Sequence, residues 1–204
     1  MTSTPRKSPS HERSRQTVER ILDAAARIFH EHGYARTTTN DIADEAGLSI
    51  GSLYQYFPNK DALLVALTKR HITTTTSSLA AMIGKLPADS GFEVILRSVV
   101  RFLVEQHDLD ELHLLVMHTA PRTHEINFEL EQAKTQLVEI ASVLLAKMNL
   151  AEDQRMLIAR MVVATIDAAV HDVIIRQPRG EKRQAAIDLT ISTALNVIET
   201  AESK

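Results

Sequence analysis

Thr38-Thr39-Asn40-Asp41-Ile42-Ala43-Asp44-Glu45-Ala46-Gly47-Leu48-Ser49-Ile50-Gly51-Ser52-Leu53-Tyr54-Gln55-Tyr56-Phe57 has the spacing of two short helices crossing at a tight turn. Helices cross closely only where the contact residue is small, and Ala43 meets that need. Gly47, four positions on, supplies the tolerance of positive φ that the turn requires. Leu53, six positions further, brings an apolar side chain back toward the first helix. Thr38 with Asp41 three residues on marks one helix start. Ser49 caps the next helix, Pro58 stops it, and Asn59 is a plausible cap for its successor.

Ile42, Ala46, Leu48 and Phe57 are expected to share a small core with Ile21, Ala25 and Phe29. That leaves Ile50, Gly51, Ser52, Tyr54, Gln55 and Tyr56 outside. Hydroxyls, an amide and a glycine suit close approach to a sugar–phosphate backbone and to base edges. A hairpin that merely packs would spend its aromatics on the core. A pair of tyrosines left outside a three-helix core needs some partner.

The flanking residues extend the pattern. From Ser14, Val18, Ile21, Leu22, Ala25, Ile28 and Phe29 recur at three- and four-residue steps, an amphipathic helix closed by Gly33. Gly33-Tyr34-Ala35-Arg36-Thr37-Thr38, Asp41-Ile42-Ala43, Ala46-Gly47-Leu48-Ser49, Gly51-Ser52-Leu53-Tyr54, Tyr56-Phe57 and Asn59-Lys60-Asp61-Ala62-Leu63 follow in order, one or two residues apart. Across Ile21 to Leu67 the chain resembles the tetracycline-repressor (TetR) family of bacterial transcriptional regulators. The resemblance implies that Thr38 and Thr39 contact phosphate and that Ser52, Tyr54 and Tyr56 touch backbone and bases. It implies that Lys60 adds its charge to a phosphate already attracted by a helix N-terminus. Asn40 and Gln55 depart from the pattern, standing where Arg and a bulkier or cationic side chain are common. Either amide can pair with adenine N6 and N7; a water-mediated or backbone role is equally open. With Ile50 and Gly51 they complete the expected DNA-binding set.

Composition supports a division of labour. The net charge of −3 over 204 residues argues at first against a nucleic-acid binder. Yet residues 1–60 carry eight Lys/Arg against seven Asp/Glu, and residues 61–204 carry fifteen against nineteen. Five of the eight aromatics, including every tyrosine, fall in the first 60 residues. The absence of cysteine excludes disulfides, thiolate nucleophiles and cysteine-ligated metal. No apolar run approaches the roughly 20 residues of a membrane span. With no signal peptide either, a cytoplasmic protein without membrane partners is expected.

An all-α fold in three parts follows. Residues 1–13, Ser/Thr/Pro-rich with Arg6, Lys7 and Arg13, read as a flexible basic arm or an inert tail. Residues 14–60 form the helix-turn-helix domain, and residues 61–204 a helical ligand-binding and dimerisation domain. Helices are expected over 60–86, 91–106, 109–119, 123–148, 152–176 and 181–201. Thr73 to Ser78 is poor helix material, and a kinked or mobile stretch without a domain break is expected there.

Ile158 to Ile175 is apolar on nearly every face and must be covered all round. Ile187, Ile191, Ala194, Leu195 and Ile198 recur along the last helix. The resemblance implies that the last two helices pair with their twins as a four-helix bundle; burial within one subunit is the alternative. It also implies an effector pocket among the middle helices, with Phe92, Leu96, Val99, Val100, Leu103, Met117, His118, Phe128 and His171 as candidate lining, beside Leu115. Plain core is the competing reading for each. His107, His113, His118 and His124 lack the spacing of a metal site, and no metal or cofactor is expected. Asp167 and His171 share a helix face, as a satisfied pair at a dimer interface or a polar anchor for ligand.

The function expected is a homodimeric repressor released from a palindromic operator by a largely apolar small molecule. Activation from the same fold, a helical-pocket enzyme using Asp167 and His171, and an adaptor with a degenerate head are the rivals. No nucleophile or cofactor loop accompanies the enzyme reading.

Overall fold

In a computed structural model, residues 12–109, 121, 123–148 and 150–202 are described, and no strand occurs among them. The elements are α1 (Glu12–His32), α2 (Thr39–Glu45), α3 (Ile50–Tyr56), α4 (Lys60–Gly84), α5 (Phe92–Leu109) and α6 (His124–Leu144). A 3-10 turn (Leu145–Lys147), α7 (Glu152–Ala168), a π-helical turn (Ala169–Ile174) and α8 (Glu181–Glu202) complete them. The expected arm lies, through residue 11, outside the described residues. Its last two residues, Glu12 and Arg13, instead open α1, where Glu12 pairs with Arg15 one turn on. The helix expected over 109–119, with Leu115, Met117, His113 and His118, also falls outside them apart from Leu109, which ends α5.

Contacts divide the chain into two compact units. One runs to Thr73 and takes in the stretch ending at Glu129; the other begins at Thr74 and resumes at Leu130. In the first, α1 to α4 enclose Ile21, Phe29, Ile42, Ala43, Leu53, Phe57, Leu63 and Leu67, all at most 1% exposed. Leu48 was expected in this core but is only half-buried, lying on the turn beyond α2.

Each local signal in this unit has a bond behind it. The Thr38 hydroxyl accepts from the Asp41 amide at 3.3 Å, and the Asp41 carboxylate accepts from the Thr38 amide at 2.8 Å. Ser49 Oγ accepts from Ser52 N at 3.1 Å, and Asn59 Oδ1 from Ala62 N at 2.8 Å. Gly47 has φ +62°, and the amide of Leu48 just beyond it donates to Ala43 at 2.9 Å. A Cβ on Gly47 would meet nothing within 4 Å, so strain alone opposes a side chain there. Gly47→Ala is therefore expected to lose about 1–2 kcal/mol, with Gly47→Asn losing less; denaturant titration of the two variants separates them.

Thr73 to Ser78 does not interrupt the helix: α4 runs unbroken from Lys60 to Gly84. A β-branched residue costs only about 0.5 kcal/mol against alanine in a helix. Thr68 shows how a threonine is accommodated, its hydroxyl donating to the Leu64 carbonyl at 2.9 Å. The division between the units nevertheless falls within this stretch.

In the second unit α5, α7 and α8 pack around Val100, Val104, Ile158, Val162, Ile166, Ile187, Ile191 and Ile198. The helix expected to continue to 176 changes type after Ala168. The Ile175 amide reaches back five residues to Val170 at 3.2 Å. This wider turn keeps residues four apart on one face, and Ile166, Val170 and Ile174 are all buried. Arg183 closes the end of the turn. It donates to the carbonyls of Ile175 and Gln177 and, at 2.9 Å, to both oxygens of Asp108 on α5.

Candidate nucleic-acid interface

Three short features aim the polar side chains of the first unit. The capping pair Thr38–Asp41 starts α2, Gly47 turns the chain, and Leu53 pins α3 against the core. What α3 then presents is graded. Gly51, Tyr54 and Gln55 are exposed, Tyr54 to 41%, whereas Ile50, Ser52 and Tyr56 are half-buried. Thr38 and Asn40 are exposed at the start of α2, and Thr39 is half-buried beside them.

One hydroxyl pair joins the two helices and a second closes the first turn of α3. Thr39 Oγ1 lies 3.0 Å from the Tyr54 hydroxyl, and Ser49 Oγ 2.8 Å from Ser52 Oγ. When one hydroxyl of such a pair donates to the other, one O–H remains free to donate to an anionic oxygen. The Tyr56 hydroxyl accepts from Ser14 Oγ at 3.4 Å, so its phenol leans on the first turn of α1. Asp41 is occupied within its own turn. The Thr38 amide and then the Thr38 hydroxyl hold its carboxyl below the ordinary range, keeping it ionised and engaged. Lys60 turns inward: its Nζ donates to the carbonyls of Tyr34, Ala35 and Thr37 at 2.9, 3.2 and 3.1 Å.

The candidate pocket residues take several environments. Leu96 and Val100 are buried in the core of the second unit, Phe92 and Leu103 pack against it, and Val99 is half-buried. Phe128 is 54% exposed on α6, in the part of that helix belonging to the first unit. Met117 and His118 lie outside the described residues. Among those described, no group of three or more His, Cys, Asp or Glu residues is placed to hold a metal ion.

Asp167 and His171 do meet, His171 Nδ1 lying 3.0 Å from Asp167 Oδ1. They belong to a larger polar group. Lys134 Nζ on α6 lies 3.0 Å from Asp167 Oδ2, and the His107 ring on α5 stands edge-on to His171 at 4.7 Å. Burial works to raise the Asp167 pKa, but the hydrogen bonds and charges of His171 and Lys134 outweigh it and hold the carboxyl below its ordinary value. The ionised group therefore stabilises the fold at neutral pH. That contribution is lost as pH falls from about 4 through the lower folded value. Asp167→Asn is expected to lower stability at pH 7 by no more than about 1 kcal/mol, because the group is partly exposed. The difference should shrink progressively toward pH 2; denaturant titrations at several pH values check it.

Residues 21–67 match the family of bacterial regulatory proteins, tetR family. Over this segment the chain is similar to the TetR family. Among curated relatives, the uncharacterised HTH-type transcriptional regulator YvkB of Bacillus subtilis (strain 168) is 39% identical over 75 residues, covering 37% of this chain and 40% of that protein. The chain therefore spans about two fifths of the length of that relative. The fold agrees over far more of the chain. The fatty acid degradation regulator FadR from Bacillus halodurans superposes with a TM-score of 0.67 at 19% identity, covering 93% of this chain and 96% of that one. A SmeT–triclosan complex superposes with a TM-score of 0.62 at 22% identity, covering 87% and 91%.

Within this TetR-like head, sequence reading missed what holds the α1–α2 turn. Tyr34 donates to Asp61, its ring packs at 5.3 Å on Phe29, and Lys60 lies across it. Lys60 and Asp61 are in the motif read from sequence, but nothing in a linear pattern pairs them with Tyr34, 26 and 27 residues away. The same holds for His107 and Lys134, whose approach to the Asp167–His171 pair is a product of helix packing.

Proposed function

We propose that the protein is a homodimeric transcriptional regulator, a repressor released from a palindromic DNA operator by a small-molecule effector, and that it acts in the cytoplasm. The observation that carries the DNA reading is the row of hydroxyls across α2 and α3, with Tyr54 exposed and bonded to Thr39. Thr38, Thr39, Asn40, Ile50, Gly51, Ser52, Gln55 and Tyr56 are its proposed neighbours on DNA.

The dimer is proposed on the last two helices. Leu157, Met161, Ala164 and Ala168 follow one face of α7 at steps of four, three and four, and all are exposed in the single chain, Leu157 to 60% and Met161 to 48%. Leu189 on α8 is 70% exposed. Apolar surface of this kind on an otherwise packed unit calls for a covering partner. A two-fold axis there would give two recognition helices about one turn of DNA apart, as a palindrome requires.

For the effector, the structural neighbour holding triclosan supports a small molecule of largely apolar character. An effector favouring one arrangement of the second-unit helices would shift the population of DNA-competent dimers. Coupling of about 1–3 kcal/mol changes operator affinity about 5- to 150-fold.

The DNA reading is tested by retardation of the intergenic DNA beside the coding region, at stated salt. Tyr54→Ala is expected to weaken binding about 10- to 100-fold, since one contact per half-site is lost. Undiminished binding by this variant would mean that α3 is not the reading helix.

A further inference from the structure

An ammonium has three N–H donors and no acceptor, and in Lys60 all three are directed at backbone carbonyls. Those of Tyr34, Ala35 and Thr37 belong to the turn between α1 and α2, outside the hydrogen-bond ladder of either helix. The Lys60 nitrogen also lies 4.5 Å from the centroid of the Tyr34 ring. That ring is fixed in turn, because its hydroxyl donates to Asp61, the next residue of α4. Thr37 is buried, its own hydroxyl donating to the Gly33 carbonyl at 2.9 Å. The following residue is Thr38, the cap of α2. The first turn of α4 thus grips the turn that aims α2, and α2 bonds to α3 through Thr39 and Tyr54.

We propose that Lys60 is a positioning residue for DNA recognition: it fixes the α1–α2 turn, and through it Thr38, Thr39 and the bonded Tyr54, while touching no phosphate itself. The proposal rests on the DNA-binding reading above. It reverses the role that the position of Lys60 at a helix N-terminus suggests. Neither glutamine nor arginine reproduces the grip. Glutamine has a single amide group to offer, and the planar fork of arginine cannot converge on three carbonyls as an ammonium does.

The test compares wild type, Lys60→Gln, Lys60→Arg and Tyr34→Phe on a duplex that the wild-type protein selects from a random pool. Affinities are measured between about 50 and 200 mM salt, where phosphate contacts show most clearly. Both Lys60 variants are expected to bind about tenfold more weakly, as when a good contact is lost at a site. Their plots of log affinity against log salt should keep the wild-type slope. Tyr34→Phe, which changes no charge, should weaken binding in the same direction.

A phosphate contact gives a different pattern. Lys60→Arg would then bind like wild type, and the Lys60→Gln slope would fall by about 0.9 for each phosphate released. That result overturns the proposal. So does unchanged affinity of Lys60→Gln under conditions where circular dichroism shows it folded, since Lys60 would then serve stability alone. Failure of the wild type to select or retard any duplex removes the DNA-binding reading itself, an outcome distinct from a changed slope.

Discussion

Leu53→Ala is expected to destabilise the head by about 3 kcal/mol, within the range for deleting a buried leucine side chain, and to abolish operator binding. Leu53 is fully buried, and it is the one side chain of α3 that is. With seven residues, α3 is far too short to hold together by its own hydrogen bonds. Its stability comes from packing this leucine against the α1–α2 core. Alanine leaves a cavity, and the polar face of α3 loses the support that sets its direction. The proper comparison is Tyr54→Ala, which removes a half-exposed contact and leaves the core intact. Denaturant unfolding should separate the two variants clearly, whereas both should fail in retardation. A Leu53→Ala protein that bound DNA like wild type would show that the α2–α3 packing does not aim the reading helix.

Leu189→Glu is expected to convert the proposed dimer to a monomer at micromolar concentration and to weaken binding to a palindrome about 100-fold or more, because each half-site is then bound alone. The substitution is informative because Leu189 is 70% exposed in the single chain, so a glutamate there harms no internal packing. Across a two-fold axis each copy carries the same patch, and one substitution places two carboxylates at the interface. Burying them without partners is strongly unfavourable. Sedimentation velocity reads the mass, and circular dichroism confirms the fold. A Leu189→Glu protein that remains dimeric would move the subunit contact to another surface.

How far the sequence reaches depends on the range of the contacts involved. The head was legible because its signals are local. Thr38 with Asp41, Gly47, Ser49 and Asn59 each act within a turn or two, and each makes the bond or adopts the backbone angle its position suggests. Ile21, Phe29, Ile42 and Leu53 fall on their helices' apolar faces and are buried together with Phe57, the residue that caps α3. Leu48 escaped because a turn residue has no helical face to assign it to. At Thr73 to Ser78 local propensity misled, since a few tenths of a kcal/mol per residue do not break a long helix. The π-helical turn after Ala168 has no signature in residue type, and Ile166, Val170 and Ile174 stay buried through it. The direction of Lys60 was hidden for another reason. A lysine at the start of a helix is compatible with a phosphate or with three carbonyls, and only the returned turn of Tyr34 to Thr37 decides between them.

Asp167 shows the intermediate case. Its spacing from His171 is readable, and the pair forms. The addition of Lys134 and His107 turns it from a pair into a group spanning three helices. Both Asp167 oxygens are paired within the group, Oδ1 with His171 and Oδ2 with Lys134, which favours a structural contribution over an open ligand anchor.

Hydroxyl-radical footprinting on a duplex selected by the wild-type protein probes the DNA-binding dimer most directly. Two protected patches related by a two-fold axis, with centres about 34–36 Å apart along the duplex, are the expected result, both vanishing with Leu53→Ala. A single asymmetric patch, or no protection at low salt, would contradict it.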